Sequence, residues 1–316
     1  MLTVKDLTVS FGPLTAVDRL SFTLQCGETL GVVGESGCGK SLTGLSLLKL
    51  TPPGATLLGE IDFDGQALLE ISENTMKTLR GRRIAMVFQE PMTALNPVYT
   101  VGAQVAEMFI LHQKATRKSA WEQALEALQR VRIPDPARRA RDYPHQLSGG
   151  MRQRVMIAMA LACRPEVLIA DEPTTALDVT VQAQILDLML ELQEQMGMAM
   201  LFISHDMGII SQVADRVLVM YAGKTMECAS TQTVLKNPAH PYTRALLKTL
   251  PRLGERRGPL PTIAGTVPTL RDKASGCVFA NRCSLANERC TRLEPALQQY
   301  DDQHWVACLE LNPLLG

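Results

Sequence analysis

Gly34-Glu35-Ser36-Gly37-Cys38-Gly39-Lys40-Ser41 decides the fold, because its spacing of glycines, lysine and hydroxyl is what a loop wrapped around a nucleotide's phosphates requires. Glycine lets backbone N–H groups close around phosphate oxygens, Lys40 adds a point charge at the β/γ-phosphates, and Ser41 offers a hydroxyl to Mg²⁺. Upstream, Glu28 to Val33 reads as a buried strand. Downstream, Leu42 to Leu50 reads as an apolar helix whose dipole favours an anion at its start. Strand, Gly-rich loop and helix in that order predict an α/β unit that binds ATP or GTP.

On the N-terminal side, Leu7-Thr8-Val9-Ser10-Phe11 and Ser21-Phe22-Thr23-Leu24 alternate apolar and polar residues about turns at Gly12-Pro13 and Cys26-Gly27, so a β-rich edge precedes the loop. On the C-terminal side, Ile84 to Phe88 reads as a buried strand ending at Gln89, after which Pro91 and Pro97 are expected to break any regular element. Trp121, Ala124, Leu125, Leu128 and Val131 recur at helical spacing, which predicts an amphipathic helix over residues 117–132. Leu147-Ser148-Gly149-Gly150 then opens an apolar helix that closes before Pro165. Val167-Leu168-Ile169-Ala170 followed by Asp171-Glu172 describes a strand delivering two carboxylates at its C-terminal end, where α/β ligand sites lie. A helix over Val181 to Met196, a strand over Ala199 to Ile203 and Ser204-His205-Asp206 repeat the pattern. Beyond Asn237 come a short helical piece, Tyr242 to Thr249, a Pro- and Gly-rich linker from Pro251 to Pro268, and a compact cysteine-bearing tail.

Composition narrows the function. With 316 residues, 46% of them hydrophobic, the chain has room for one large domain plus a smaller one. Lys+Arg and Asp+Glu number 32 each, so the global basicity of a protein held by nucleic-acid phosphates is missing. The most apolar stretches, Val155 to Cys163 and Met196 to Ser204, are shorter than the ~18 residues a bilayer span needs, and the start carries no signal-peptide pattern. A soluble chain in the reducing cytosol is expected, with its eight cysteines reduced or ligating rather than paired.

Taken in order, the phosphate loop, Gln89, Leu147-Ser148-Gly149-Gly150-Met151-Arg152-Gln153, Asp171-Glu172, Ala176-Leu177-Asp178 and His205 resemble the ATP-binding cassette (ABC) ATPase family over about residues 1–236. They match its Walker A loop, Q-loop, signature, Walker B, D-loop and switch histidine. The resemblance implies a P-loop cassette with a RecA-like core, an antiparallel β subdomain and a helical subdomain at about 90–165. It also implies roles: Gly34 to Ser41 hold ATP; Ser41, Gln89 and, through water, Asp171 hold Mg²⁺; Glu172 is the general base; His205 touches the γ-phosphate. Phe11 sits where the family places an aromatic under adenine, with ordinary strand packing as the other reading. Ser148, Gly149, Gly150 and Asp178 would face ATP held by a second cassette in a head-to-tail dimer.

Phe88 to Pro97, Tyr143-Pro144-His145-Gln146 and Asn237-Pro238-Ala239-His240-Pro241-Tyr242-Thr243-Arg244 look like the dipeptide/oligopeptide branch of bacterial ABC importers, which nickel, glutathione and oligosaccharide importers share. That branch implies two membrane-spanning permease subunits, an extracytoplasmic binding protein acting indirectly, no nucleic acid, and a peripheral place on the cytoplasmic face of the inner membrane. A soluble ABC machine acting on nucleic acid or ribosomes, and a redox-sensing module, are the competing readings. In the extension at 237–316, Cys277, Cys283, Cys290 and Cys308 are spaced C-x5-C-x6-C-x17-C, similar to the C-terminal extension of peptide-importer ATPases, some of which bind a [4Fe–4S] cluster. Four thiolates also suit Zn²⁺, or a small core of reduced cysteines. On either metal reading the site is structural, and loosening the tail is expected to leave ATP binding largely intact.

Overall fold

Apolar residues in the first strand change phase, from Leu2 and Val4 to Leu7 and Val9, yet all four are buried. The computed structural model, which describes residues 1–175, 177–250, 262–272 and 275–311, shows how. A register shift between Val4 and Leu7, with Asp6 in the left-handed region at φ 48°, inserts a bulge that restores the inward face. Each such Leu or Val contributes roughly 1.5–3 kcal/mol by leaving water.

The chain divides into two units. One holds Met1–Leu24, Thr29–Leu69 and Phe202–Gly316; the other holds Gln25–Glu28 and Glu70–Leu201.

In the first unit, Leu2–Phe11 pairs antiparallel with Leu14–Leu24 on one side and with Ala55–Phe63 on the other, and Gln66–Ala67 extends that sheet. A second sheet region starts at Thr29–Val33, all five residues buried, which runs parallel to Arg216–Tyr221. Arg216–Tyr221 pairs with Lys224–Ser230, which pairs with His304–Val306, which pairs with Gln298–Asp301. The cysteine-bearing tail therefore adds its strands to the unit that carries the phosphate loop.

Polar ties reinforce that docking. Lys224 Nζ donates to Asp18 Oδ2 at 2.5 Å and to Glu294 Oε1 at 2.6 Å. The fully buried Glu227 carboxylate meets the Ala239 and His240 N–H groups at 2.8 and 3.0 Å and the His304 Nε2 at 2.7 Å. Such partners are what make a buried carboxylate tolerable. Tyr221, Tyr242 and Phe279 pack with ring centroids 4.8 to 5.2 Å apart.

In the second unit, Ile84–Val87 and Val167–Asp171 run parallel, and Arg83 grips Glu166 through Nε at 2.5 Å and Nη2 at 2.7 Å at their edge. The amphipathic helix expected over 117–132 is Arg117–Arg130, capped by Thr116, whose hydroxyl accepts from the Ser119 N–H. Its inward face is Ala120, Ala124, Ala127 and Leu128, while Trp121 and Leu125 are half-buried. One expectation fails: Pro91 does not end regular structure but opens the helical turn Pro91–Ala94. The first helical position needs no N–H donor, so proline fits there.

Helix ends elsewhere move by one to three residues, to Lys40–Leu47, Val179–Met196 and Pro241–Lys248. Residues 251–261 of the expected linker lie outside the described residues, as does Ala176. Among the described residues no helix is long and apolar enough to cross a membrane.

Candidate nucleotide and dimer sites

The buried strand Thr29–Val33 runs into the phosphate loop, and the loop's shape depends on glycine. A Cβ on Gly34 would lie 2.1 Å from the Met220 carbonyl oxygen, and Gly39 caps the following helix at φ 99°, a conformation costly for any other residue. Gly39 brings no side chain to the helix start, so the first-turn N–H groups are presented as donors to an anion. Lys40 is 5% exposed, and its Nζ lies over the loop, donating to the Gly34 and Glu35 carbonyls at 2.7 and 3.2 Å. Burial pushes the Cys38 thiol up, which suits an inert packing residue rather than a nucleophile.

Glu35 is held from far along the chain. Its N–H donates to Tyr242 Oη at 3.0 Å, and its carboxylate receives Arg282 at 2.6 and 3.1 Å. Neither partner is legible from the loop. Phe11 is half-buried at a strand end opposite Leu14 and Ala55. His205 is exposed just after Ala199–Ser204, and Asp206 caps the next helix by accepting from the Gly208 N–H at 2.7 Å.

In the other unit, Asp171 ends its strand 5% exposed. Glu172 follows with φ 45°, in the left-handed region. Its Oε2 accepts from Gln89 Nε2 at 3.1 Å and from Thr175 Oγ1 at 2.9 Å. The structure thus joins two of the expected residues, Gln89 and Glu172, across 83 positions, and adds Thr175.

Ser148 caps Gly149–Leu161, accepting from the Met151 N–H at 3.3 Å, and Asp178 caps Val179–Met196, accepting from the Val181 N–H at 3.0 Å. The two helix starts touch. A Cβ on Gly150 would sit 2.6 Å from Val181 Cγ1, so only glycine allows this approach, and Val181 is a partner the sequence does not announce.

The four tail cysteines do not form the compact metal set expected of them. Among the described residues, no group of three or more His, Cys, Asp or Glu side chains is placed to hold a metal ion. The four are nonetheless neighbours. The Cys277 N–H donates to the Cys290 carbonyl at 2.8 Å. Burial chiefly pushes the Cys277 thiol up, and Cys290, Cys308 and Cys283 add to it by charge. Cys283 and Cys308 are raised in the same way, by burial first and by Cys290 among other charges.

Known proteins share this architecture. An ABC transporter family model matches residues 17–175, and one described as the oligopeptide/dipeptide transporter C-terminal region matches 226–290. A probable peptide ABC transporter ATP-binding protein of Sinorhizobium fredii is 51% identical, covering 100% of this chain and 96% of its own length. The dipeptide transport ATP-binding protein DppD of Escherichia coli is 47% identical, covering 98% and 96%. Among solved structures, the ATP-binding cassette MJ0796 in a dimeric post-hydrolysis state bound to ADP and phosphate matches with a TM-score of 0.65 and 27% identity, over 73% of this chain and 99% of that one. Likeness sustained from one end of the chain to the other places it in the ABC transporter family, as one of that family's ATP-hydrolysing subunits.

Proposed function

We propose that the chain energises import of di- or oligopeptides through a membrane ABC transporter, by closing and reopening a cassette dimer with ATP. The names of its relatives and the match of its C-terminal region to the peptide-transporter model support the substrate class. In this reading residues 1–236 are the cassette and 237–316 the extension. Lys40 and the loop N–H groups bind the phosphates, with Phe11 under adenine. Ser41 and Gln89 directly, and Asp171 through water, would hold Mg²⁺, which would offset charge on the phosphates. Glu172 polarises the attacking water and His205 orients it.

One observation carries the membrane assignment. Gln89 contacts Glu172, and within ten residues of it in sequence Phe88, Met92, Val98 and Tyr99 stand 39, 55, 71 and 58% exposed. Exposed apolar side chains concentrated in one segment suit a docking site, here for a cytoplasmic helix of a permease, so that a partner's movement reaches the hydrolytic carboxylate. Replacing Met92 and Val98 by Glu is expected to abolish co-purification with multi-span subunits while leaving nucleotide binding unchanged. Recovery of ribosomes or DNA with no membrane protein from wild-type cells would turn the reading to a soluble machine.

In the tail, Cys277, Cys283, Cys290 and Cys308 are neighbours, and burial raises the thiols of Cys277, Cys283 and Cys308; four cysteines are the ligand number of a [4Fe–4S] group, whose irons would supply the positive charge that four thiolates need. Anaerobically purified protein is expected to carry about four irons and equal acid-labile sulfide per chain. Stoichiometric zinc without sulfide, or no metal, overturns this assignment.

A further inference from the structure

Arg282 lies on the short turn Ala280–Arg282, next to Cys283, and its side chain is 4% exposed. Every one of its five N–H donors is used. Nε donates to the Ala264 carbonyl at 2.8 Å. Nη1 donates to Glu35 Oε2 at 2.6 Å and to Tyr221 Oη at 3.2 Å, and Nη2 donates to Glu35 Oε1 at 3.1 Å and the Ile263 carbonyl at 3.0 Å. The guanidinium also lies 5.7 Å from the Tyr221 ring centroid. This is a partly buried, bidentate, charge-assisted pair across 247 positions of sequence. Its acceptor is the second residue of the phosphate loop.

At Glu35 every polar group is engaged. The side chain holds Arg282, the N–H holds Tyr242, and the carbonyl receives Lys40 Nζ. Tyr242 packs against Phe279, which lies three residues before Arg282, so both clamps on Glu35 are braced by the same aromatic cluster. The Lys40 ammonium, in turn, is positioned by the two carbonyls that Glu35 and its neighbour Gly34 present. A loop fixed before binding loses less freedom when the nucleotide arrives.

We propose that Arg282 is a positioning residue for the phosphate loop, through which the cysteine-bearing tail sets the cassette's affinity for nucleotide. The proposal rests on reading Gly34 to Ser41 as the phosphate site. Nothing in the loop's own sequence requires such a brace, since its glycines and Lys40 would suffice to contact phosphate. The tail is then more than a stabilising appendage, and disturbing Cys283 disturbs the neighbour that holds the loop. On this proposal a loosened tail weakens nucleotide binding by the full chain.

The test is titration of the purified full chain with MgADP by calorimetry, together with steady-state ATP hydrolysis. Arg282→Gln is expected to raise Kd and KM about tenfold or more, as loss of a charge-assisted pair implies, with kcat at saturating ATP within about twofold. Arg282→Lys is expected to recover part of the affinity. Glu35→Gln should raise Kd by a similar factor, and the double variant should bind no worse than either single one, since both remove the same interaction. Should Arg282→Gln not fold, Glu35→Gln and Arg282→Lys carry the same comparison. Unchanged Kd in folded variants, additive losses, or a fall in active fraction at constant Kd each overturn the proposal. A wild-type chain that binds no MgADP removes the phosphate-loop reading along with it, whereas wild-type binding with unaltered variants removes the proposal alone.

Discussion

Glu172→Gln is expected to lower ATP turnover by roughly 10²-fold or more while Kd for nucleotide stays within a few-fold. Glutamine keeps the shape and the acceptor oxygen that Gln89 and Thr175 address at 3.1 and 2.9 Å, so the left-handed turn at φ 45° has its partners in the variant. What is lost is the anion that draws a proton from water. ATP then binds without being consumed, and the closed dimer accumulates. Lys40→Ala should fail in the opposite way. It removes the buried ammonium lying over the Gly34 and Glu35 carbonyls, hence weakens binding itself. Single-turnover hydrolysis alongside calorimetry separates the two, and near wild-type turnover in Glu172→Gln would falsify its role as base.

What the sequence could show was local. Strand, glycine loop, Lys40 and helix lie within a few residues of one another, and so do Asp171 and Glu172, so short-range pattern is enough to find them. Even the phase change in the first strand, from Val4 to Leu7, is a local sign of the bulge at Asp6. Arg282 is different. Its partner lies 247 positions away, and only the folding of Phe279 onto Tyr221 and Tyr242 brings them together. Val181 under Gly150 is a second case, since a small residue in a signature turn gives no hint of which neighbour needs the space. The cysteines show a different limit. Their spacing fits a metal set, but spacing along the chain fixes neither the distances between sulfurs nor the paths that burial imposes.

Ser148→Arg is expected to reduce ATP hydrolysis roughly 10²-fold or more while a single chain still binds nucleotide. Ser148 is exposed and caps the helix Gly149–Leu161, whose interior residues Val155, Ile157 and Leu161 are buried, so losing the cap costs about 1 kcal/mol and leaves the fold standing. The helix start also stays in place, because Gly150 is seated against Val181 and Asp178 caps that neighbouring helix. The bulky side chain therefore enters solvent at the surface proposed to meet the γ-phosphate of a second cassette. Ser148→Ala removes the same cap without adding bulk, so the difference between the two variants isolates obstruction from loss of the hydroxyl. If the protein homodimerises, mixing Ser148→Arg chains with Lys40→Ala chains restores at most one composite site per dimer. Full activity from Ser148→Arg, or from wild-type protein shown by light scattering to remain monomeric with ATP, removes the shared site.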